Sequence, residues 1–172
     1  MRGFTGLSEH MPPDQTVTFV NAYLDAVCPP ITDAGGVIDK FMGDGVLAFF
    51  EGGGHAARAL GAARRILAAV ETAVFPVPER VRVGIALHSG DVLVGTVGPR
   101  TRREYTVISD AVNTLARLEE LNKDYGSLVV ASAATIAGAT PELRAGFDGP
   151  LEVTLRGRDA TISVHVLGIL DR

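Results

Sequence analysis

At 172 residues the chain is long enough for one domain with a sizeable core, and its 47% hydrophobic against 21% charged composition excludes a disordered polymer. The balance of 16 basic against 20 acidic side chains leaves a formal net charge of −4, which gives no electrostatic footprint for nucleic acid as a primary partner. A single cysteine, Cys28, excludes a disulfide framework and a cysteine-based zinc site, and it fits the reducing cytoplasm.

In chain order, MRGFTGLSE opens with a Gly-Phe-Thr turn running towards a helix start, with Ser8 as the expected cap. The run Asp14–Cys28 places Val17, Val20, Tyr23, Leu24 and Val27 at helical spacing, and Pro29-Pro30 is predicted to stop or kink that helix. After Gly35-Gly36, VIDKFMGDGVLAFF reads as two short strands around Gly43-Asp44-Gly45, because Asp-Gly between apolar runs is a strong hairpin signal. An Ala-rich amphipathic helix over His55–Val74 ends at Phe75-Pro76-Val77-Pro78. Its apolar stretch is interrupted by Arg58, Arg64, Arg65 and Glu71, so it does not span a bilayer. The N-terminus also lacks the uninterrupted apolar region of a signal peptide, so a membrane tether is expected only outside this chain.

RVRVGIALHSG and DVLVGTVG then read as two strands joined tightly around Gly90. The basic loop PRTRRE leads to YTVISDAVNTLARLEELN, a short strand followed by a long helix. A strand at Ser127–Ala131, a short helix at Ser132–Ala137 and two strands around RGRDA complete the chain. With no internal repeat or linker, residues 1–172 read as one α+β domain, an antiparallel sheet with helices packed on one face.

Two segments carry residues suited to chemistry. In SDAVNTLAR, Asp110, Asn113 and Arg117 fall at i, i+3 and i+7 on one helix face, beside an apolar stripe of Ala111, Leu115 and Leu118. That polar face offers an acceptor, a mixed donor–acceptor amide and a fixed cation, although a polar stripe by itself is more often plain solvated surface. In DKFMGDG, Asp44 sits at the hairpin tip with Lys40 four residues before it. A turn aspartate usually satisfies turn backbone, yet a carboxylate on a rigid tip is also a good ligand for a hard cation.

Taken together, RGFTGLSE, DKFMGDGVLAFF, GIALHSGDVLVGTVG, YTVISDAVNTLARLE and VTLRGRDATISVHVLGI resemble the catalytic domains of the class III nucleotidyl cyclases, the adenylyl and guanylyl cyclases. The likeness covers almost the whole chain in the family's block order. It implies a ferredoxin-like, antiparallel-rich sheet and an in-line attack of a ribose 3′-hydroxyl on the α-phosphorus of a nucleoside triphosphate. It also implies two Mg²⁺ or Mn²⁺ ions, with Asp44 matching one of two metal-bridging aspartates. Gly3, Phe4 and Thr5 match the turn whose backbone meets the phosphates. Asn113 matches the residue that orients the ribose, and Arg117 the guanidinium that stabilises charge at phosphorus. Arg156 and Arg158 are weaker matches for contacts to the terminal phosphates.

Lys40 and Asp110 match the base-reading pair. A Lys donor suits adenine N1 and an Asp acceptor suits its N6 amino group, whereas guanine presents the reverse pattern; the pair therefore implies ATP. The resemblance also implies a homodimer with its sites at the interface, metal and phosphate residues coming from one subunit and the Asn/Arg helix from the other. The leading expectation is cyclic AMP synthesis. The alternative is a catalytically inactive cyclase-homology module that binds nucleotide or dimerises for regulation, while a ferredoxin-like nucleic-acid binder is disfavoured by acidity. His88, Cys28 and the loop arginines 100, 102 and 103 read as structural or solvated.

The likeness departs at three places. In the family a strand ending in the second metal aspartate stands directly before the stretch seen here as MRGFT. An upstream apolar strand ending in Asp is therefore expected in the native reading frame, with Met1 either an internal methionine taken as a start or the cut edge of a longer chain. Ser109 stands where glycine is usual, and Pro29-Pro30 is expected to shorten the first helix. Translation of the DNA immediately upstream, in frame, is expected to show that apolar run; a stop codon within a few triplets overturns the expectation.

Overall fold

The computed structural model describes residues 1–155 and 161–169. A short helix α1 (Phe4–Ser8) precedes the long helix α2 (Pro13–Thr32), which leads into the hairpin β1 (Val37–Met42) and β2 (Gly45–Phe49). Helix α3 (His55–Thr72) follows, then β3 (Ile85–Leu87), β4 (Leu93–Val97) and β5 (Glu104–Ile108). Helix α4 (Asp110–Tyr125), β6 (Ser127–Ser132), the short helices α5 (Ala133–Ala137) and α6 (Pro141–Arg144), β7 (Phe147–Thr154) and β8 (Thr161–Ile169) complete the order.

The strands form three ladders. The largest runs β3-β6-β8-β7, with β3 parallel to β6 and the other pairs antiparallel. The other two are the hairpins β1-β2 and β4-β5. The α+β class is as expected, but the hairpin around Gly90 is not. Strands β3 and β4 lie in different ladders, because β3 is taken up beside the buried strand β6 while β4 pairs with β5 across the basic loop. Local turn signals reveal that the chain reverses; they carry no information on which distant strand offers a ladder.

Helix α2 also differs from its reading. Its buried line is Phe19, Tyr23, Val27 and Ile31, while Val17 is exposed. Val17 precedes Phe19 by about 200° of helix rotation, so the two cannot share a face. Pro29 and Pro30 do not end the helix, which runs on to Thr32. They sit in its last turn, where Asp33 N–H still donates to the Pro29 carbonyl and Gly36 N–H to the Ile31 carbonyl, each at 2.9 Å. Ser8 closes α1 instead of capping a helix start, its hydroxyl donating to the Thr5 carbonyl at 3.0 Å.

One part of the core joins Tyr23, Val27 and Ile31 to Ile66 and Val70 of α3 and to Val83. A second joins Leu118 of α4 to Val130, Val153, Val164 and Val166 of the large sheet. Helix α4 is further fixed by Asn122, which is fully buried. Its amide donates to the Ile85 carbonyl at 2.9 Å, and its carbonyl accepts from the Ser127 hydroxyl at 2.6 Å. Gly126 ends the helix in the left-handed region (φ 62°), a conformation that favours glycine. The same stretch therefore ties α4 to both β3 and β6.

Replacing Asn122 by Ala strands the Ile85 carbonyl and the Ser127 hydroxyl in the interior. The expected cost is about 2–3 kcal/mol. Thermal unfolding is expected to fall by roughly 5–10 °C for a chain of this size, and an unchanged melting temperature refutes the role given to this amide.

Candidate active site

The β1-β2 hairpin is closed by Gly43 and Asp44, with Met42 paired to Gly45. Gly43 adopts φ 63°, the left-handed conformation that a tight hairpin turn reserves for glycine at its first central position. The turn presents the Asp44 carboxylate at the hairpin end with its side chain 23% exposed. Its Oδ2 lies 2.6 Å from the Met1 amino nitrogen, so the chain's first residues and the hairpin tip are neighbours. Beneath them the buried Tyr23 hydroxyl is held protonated above the usual phenol range, first by burial and then by the negative charge of Asp44.

The opening turn is anchored on both sides. Arg2 N–H donates to the Arg82 carbonyl at 2.8 Å, and the Arg2 guanidinium donates to the Ser127 carbonyl at 3.2 Å while lying against Gly84. Gly3 adopts φ 70° at the entry to α1, and the Phe4 ring packs on Phe19 with centroids 6.4 Å apart. Thr5 is exposed. The expected Gly3-Phe4-Thr5 turn is instead the start of α1, with Gly3 as its N-cap and Phe4 and Thr5 its first helical residues, next to the element that carries Asp44.

Along β1 the ladder slips. Ile38 pairs with Ala48 and Lys40 with Leu47, which leaves Asp39 as the extra residue of a β-bulge. Its side chain is 1% exposed and reaches β5, where Oδ1 accepts from Val107 N–H at 3.2 Å and Oδ2 from the Thr106 hydroxyl at 2.9 Å. Lys40 Nζ stands 3.4 Å from the same Oδ2 with its side chain 39% exposed. Sequence reasoning passed over Asp39 and Thr106. The available signal was an acidic residue set among apolar neighbours in a strand, VIDKFM, directly before the lysine.

Helix α4 starts at Ser109, whose hydroxyl accepts from Val112 N–H at 3.2 Å, so the residue found in place of a usual glycine is a working N-cap. Asp110 opens the first turn; Asp110, Asn113 and Arg117 are all exposed, as their common-face spacing implied. Arg117 Nη1 lies 3.4 Å from Glu120 Oε2 on its own helix. Because α4 packs on β3 and β6 whereas Asp44 stands between β1 and β2, Arg117 and Asp44 ride on separately anchored elements, and no ion pair joins them. Arg156 and Arg158 lie outside the described residues. Among the described residues no group of three or more His, Cys, Asp or Glu side chains is gathered to hold a metal ion, and no helix is long and apolar enough to cross a membrane.

Residues 1–167 match the model of the adenylate and guanylate cyclase catalytic domain. The chain belongs to this cyclase family. An adenylate cyclase of Anabaena cylindrica is 35% identical over 174 residues, covering 96% of this chain and 34% of that protein. Adenylate cyclase 1 of Rhizobium meliloti (strain 1021) is 37% identical over 144 residues, covering 78% of this chain and 21% of that protein. The cyclase domain thus spans about a third or less of the curated relatives it matches. Among solved structures, the guanylyl cyclase Cya2 superposes with a TM-score of 0.79 at 26% identity, covering 99% of this chain and 89% of that one. A bacterial light-regulated adenylyl cyclase shares the fold, with a TM-score of 0.78 at 23% identity over 95% of this chain and 48% of that one.

In this cyclase domain the helix that bears Asn113 and Arg117 begins at a side-chain cap. Ser109→Ala removes that acceptor and is expected to cost about 1 kcal/mol, read as a lower urea midpoint with an unchanged slope; an unmoved midpoint refutes the capping role.

Proposed function

We propose that the chain is an adenylyl-type cyclase catalytic domain that converts ATP to 3′,5′-cyclic AMP and pyrophosphate at sites formed between two copies of itself. The observation that carries the reading is the division of the site residues. Lys40 and Asp44 stand on the β1-β2 hairpin beside the Gly3-Phe4-Thr5 turn, while Asn113 and Arg117 stand exposed on α4. A second copy is the natural source of each missing half. Large apolar side chains left exposed on neighbouring strands support such a contact: Phe41 and Met42 on β1, Leu93 on β4, and Tyr105 and Ile108 on β5.

In the reaction the ribose 3′-oxygen forms a bond to the α-phosphorus as the bond from that phosphorus to the bridging oxygen of pyrophosphate breaks. The hydroxyl proton leaves to solvent. Asn113 donates to and accepts from the ribose, which holds the hydroxyl in line with the leaving group. Arg117 spreads positive charge over the phosphoryl oxygens as negative charge builds there. Its link to Glu120 is exposed, and such pairs contribute about 0–1 kcal/mol, so the guanidinium is readily surrendered to a phosphate. The backbone of Gly3, Phe4 and Thr5 faces the phosphates. Arg156 and Arg158 are further phosphate contacts.

The donor set at the hairpin tip fits a hard divalent cation. Asp44 offers carboxylate oxygens on a rigid, partly open turn, and Mg²⁺ characteristically takes one or two carboxylates together with substrate phosphates and water. Two Mg²⁺ or Mn²⁺ ions held by Asp44, by the second aspartate expected upstream of Met1 and by the triphosphate would lower the pKa of the attacking hydroxyl and offset the phosphate charge. For the base, the Lys40 ammonium donates to adenine N1 and Asp110 accepts from its amino group, a pattern guanine reverses.

Complementation tests the shared site. With Mn²⁺ and ATP, Asp44→Ala and Arg117→Ala are each expected to lower cyclic AMP formation by at least about 100-fold. An equal mixture of the two is expected to recover about a quarter of the wild-type rate, since half the dimers are mixed and each holds one intact site. A mixture as silent as its parts overturns the shared site. Wild-type activity from Arg117→Ala overturns the role of that arginine, and no product from either the unaltered chain or a form extended upstream through the expected aspartate favours the inactive binding module.

A further inference from the structure

We propose that Asp39 is a positioning residue for base selection, a buried carboxylate that aims the Lys40 ammonium at the purine and holds β5 in register with the strand that carries it. The inference rests on the reading of Lys40 as a base-reading donor and extends it to a residue whose own side chain is buried.

The geometry argues for more than a strand clip. A bulge costs a ladder pair, and here the residue it frees turns its carboxylate inward to a 1% exposed position. A carboxylate left unpaired there would be strongly destabilising, yet this one is saturated by Val107 N–H, the Thr106 hydroxyl and the Lys40 ammonium. The hydroxyl and the ammonium converge on the same oxygen, Oδ2, while Oδ1 serves the β5 backbone. The two oxygens thus have separable duties, one to the fold and one to the lysine. A lysine side chain has four rotatable bonds and loses much freedom when a ligand fixes it. An anion held 3.4 Å away by the sheet restricts that freedom before the nucleotide arrives, which favours the base that needs a donor at this point.

Asp39→Asn separates the two duties, being nearly isosteric. The amide oxygen keeps the bond from Val107 N–H, and the amide nitrogen must then face Thr106 and Lys40. The Thr106 hydroxyl can rotate to accept from it. The ammonium has no such option and is turned away. The expected result is a protein of near-native melting temperature whose preference for adenine over guanine nucleotides falls by about tenfold. A residue that only clips strands leaves this preference unmoved.

Binding of α,β-methylene-ATP and α,β-methylene-GTP to the full chain with Mn²⁺, followed by calorimetry, provides a readout that needs no turnover. Support is an adenine preference in the unaltered chain that falls in Asp39→Asn, recovers in Asp39→Glu, and falls no further when Asp39→Asn is added to Lys40→Gln. An Asp39→Asn chain that keeps the full preference overturns this proposal and leaves the reading of Lys40 standing. So does an Asp39→Asn effect that persists undiminished in the Lys40→Gln background. An unaltered chain that binds neither analogue overturns the nucleotide reading and this inference with it.

Discussion

The buried carboxylate of Asp39 joins two hairpins that no backbone ladder connects among the described residues. Hairpin β1-β2 carries Lys40 and Asp44, and hairpin β4-β5 delivers the chain into α4 with Asn113 and Arg117. Had the two been continuous strands of one sheet, backbone hydrogen bonds would fix their register whatever the side chains. Here one side chain makes the link, its carboxylate accepting from Val107 N–H and the Thr106 hydroxyl. The side-chain link between the two hairpins therefore runs through an acidic residue displaced by a bulge.

The rest of the molecule is built to hold the two ends of that arrangement still. Helix α2 supports the hairpin from below through Tyr23, Val27 and Ile31, and Tyr23 lies close enough for the charge of Asp44 to be felt at its hydroxyl. Helix α4 is anchored by Leu118 in the apolar core and by Asn122 through buried hydrogen bonds to two strands. Thr114, also buried, seats the first half of the helix as well, so Asp110, Asn113 and Arg117 stand on the exposed face of a helix held along its length. This suits the shared site proposed above: the helix is rigidly held and its polar face is exposed.

Much of this was legible in the residues. Asp-Gly between apolar runs revealed the β1-β2 turn, and Gly43 adopts the positive φ such a turn asks for. The i, i+3, i+7 spacing of Asp110, Asn113 and Arg117 placed all three on the exposed face of α4. The order of five short blocks was enough to indicate the cyclase family, which the match over residues 1–167 establishes. The misplacements have definite causes. The stripe on α2 was drawn through Val17 because valine is apolar, but the buried line follows a strict four-residue step from Phe19 to Ile31. Pro29 and Pro30 signal a stop or a kink, yet the helix runs on to Thr32, because in a last turn the donors that follow them complete the bonding.

The sequence by itself determined the family, the class of fold and which residues stand at the hairpin tip and on the polar face of α4, because each rests on local spacing that the backbone geometry enforces. Only the tertiary structure decided that β3 joins β6 while β4 joins β5, that Asn122 belongs to the core, and that Asp39 and Thr106 stand with Lys40. The contacts of Asn122 with β3 and of Asp39 with β5 join residues 37 to 68 positions apart. The choice among such partners is made by burial and hydrogen-bond satisfaction across the assembled interior, and no window of the sequence contains it.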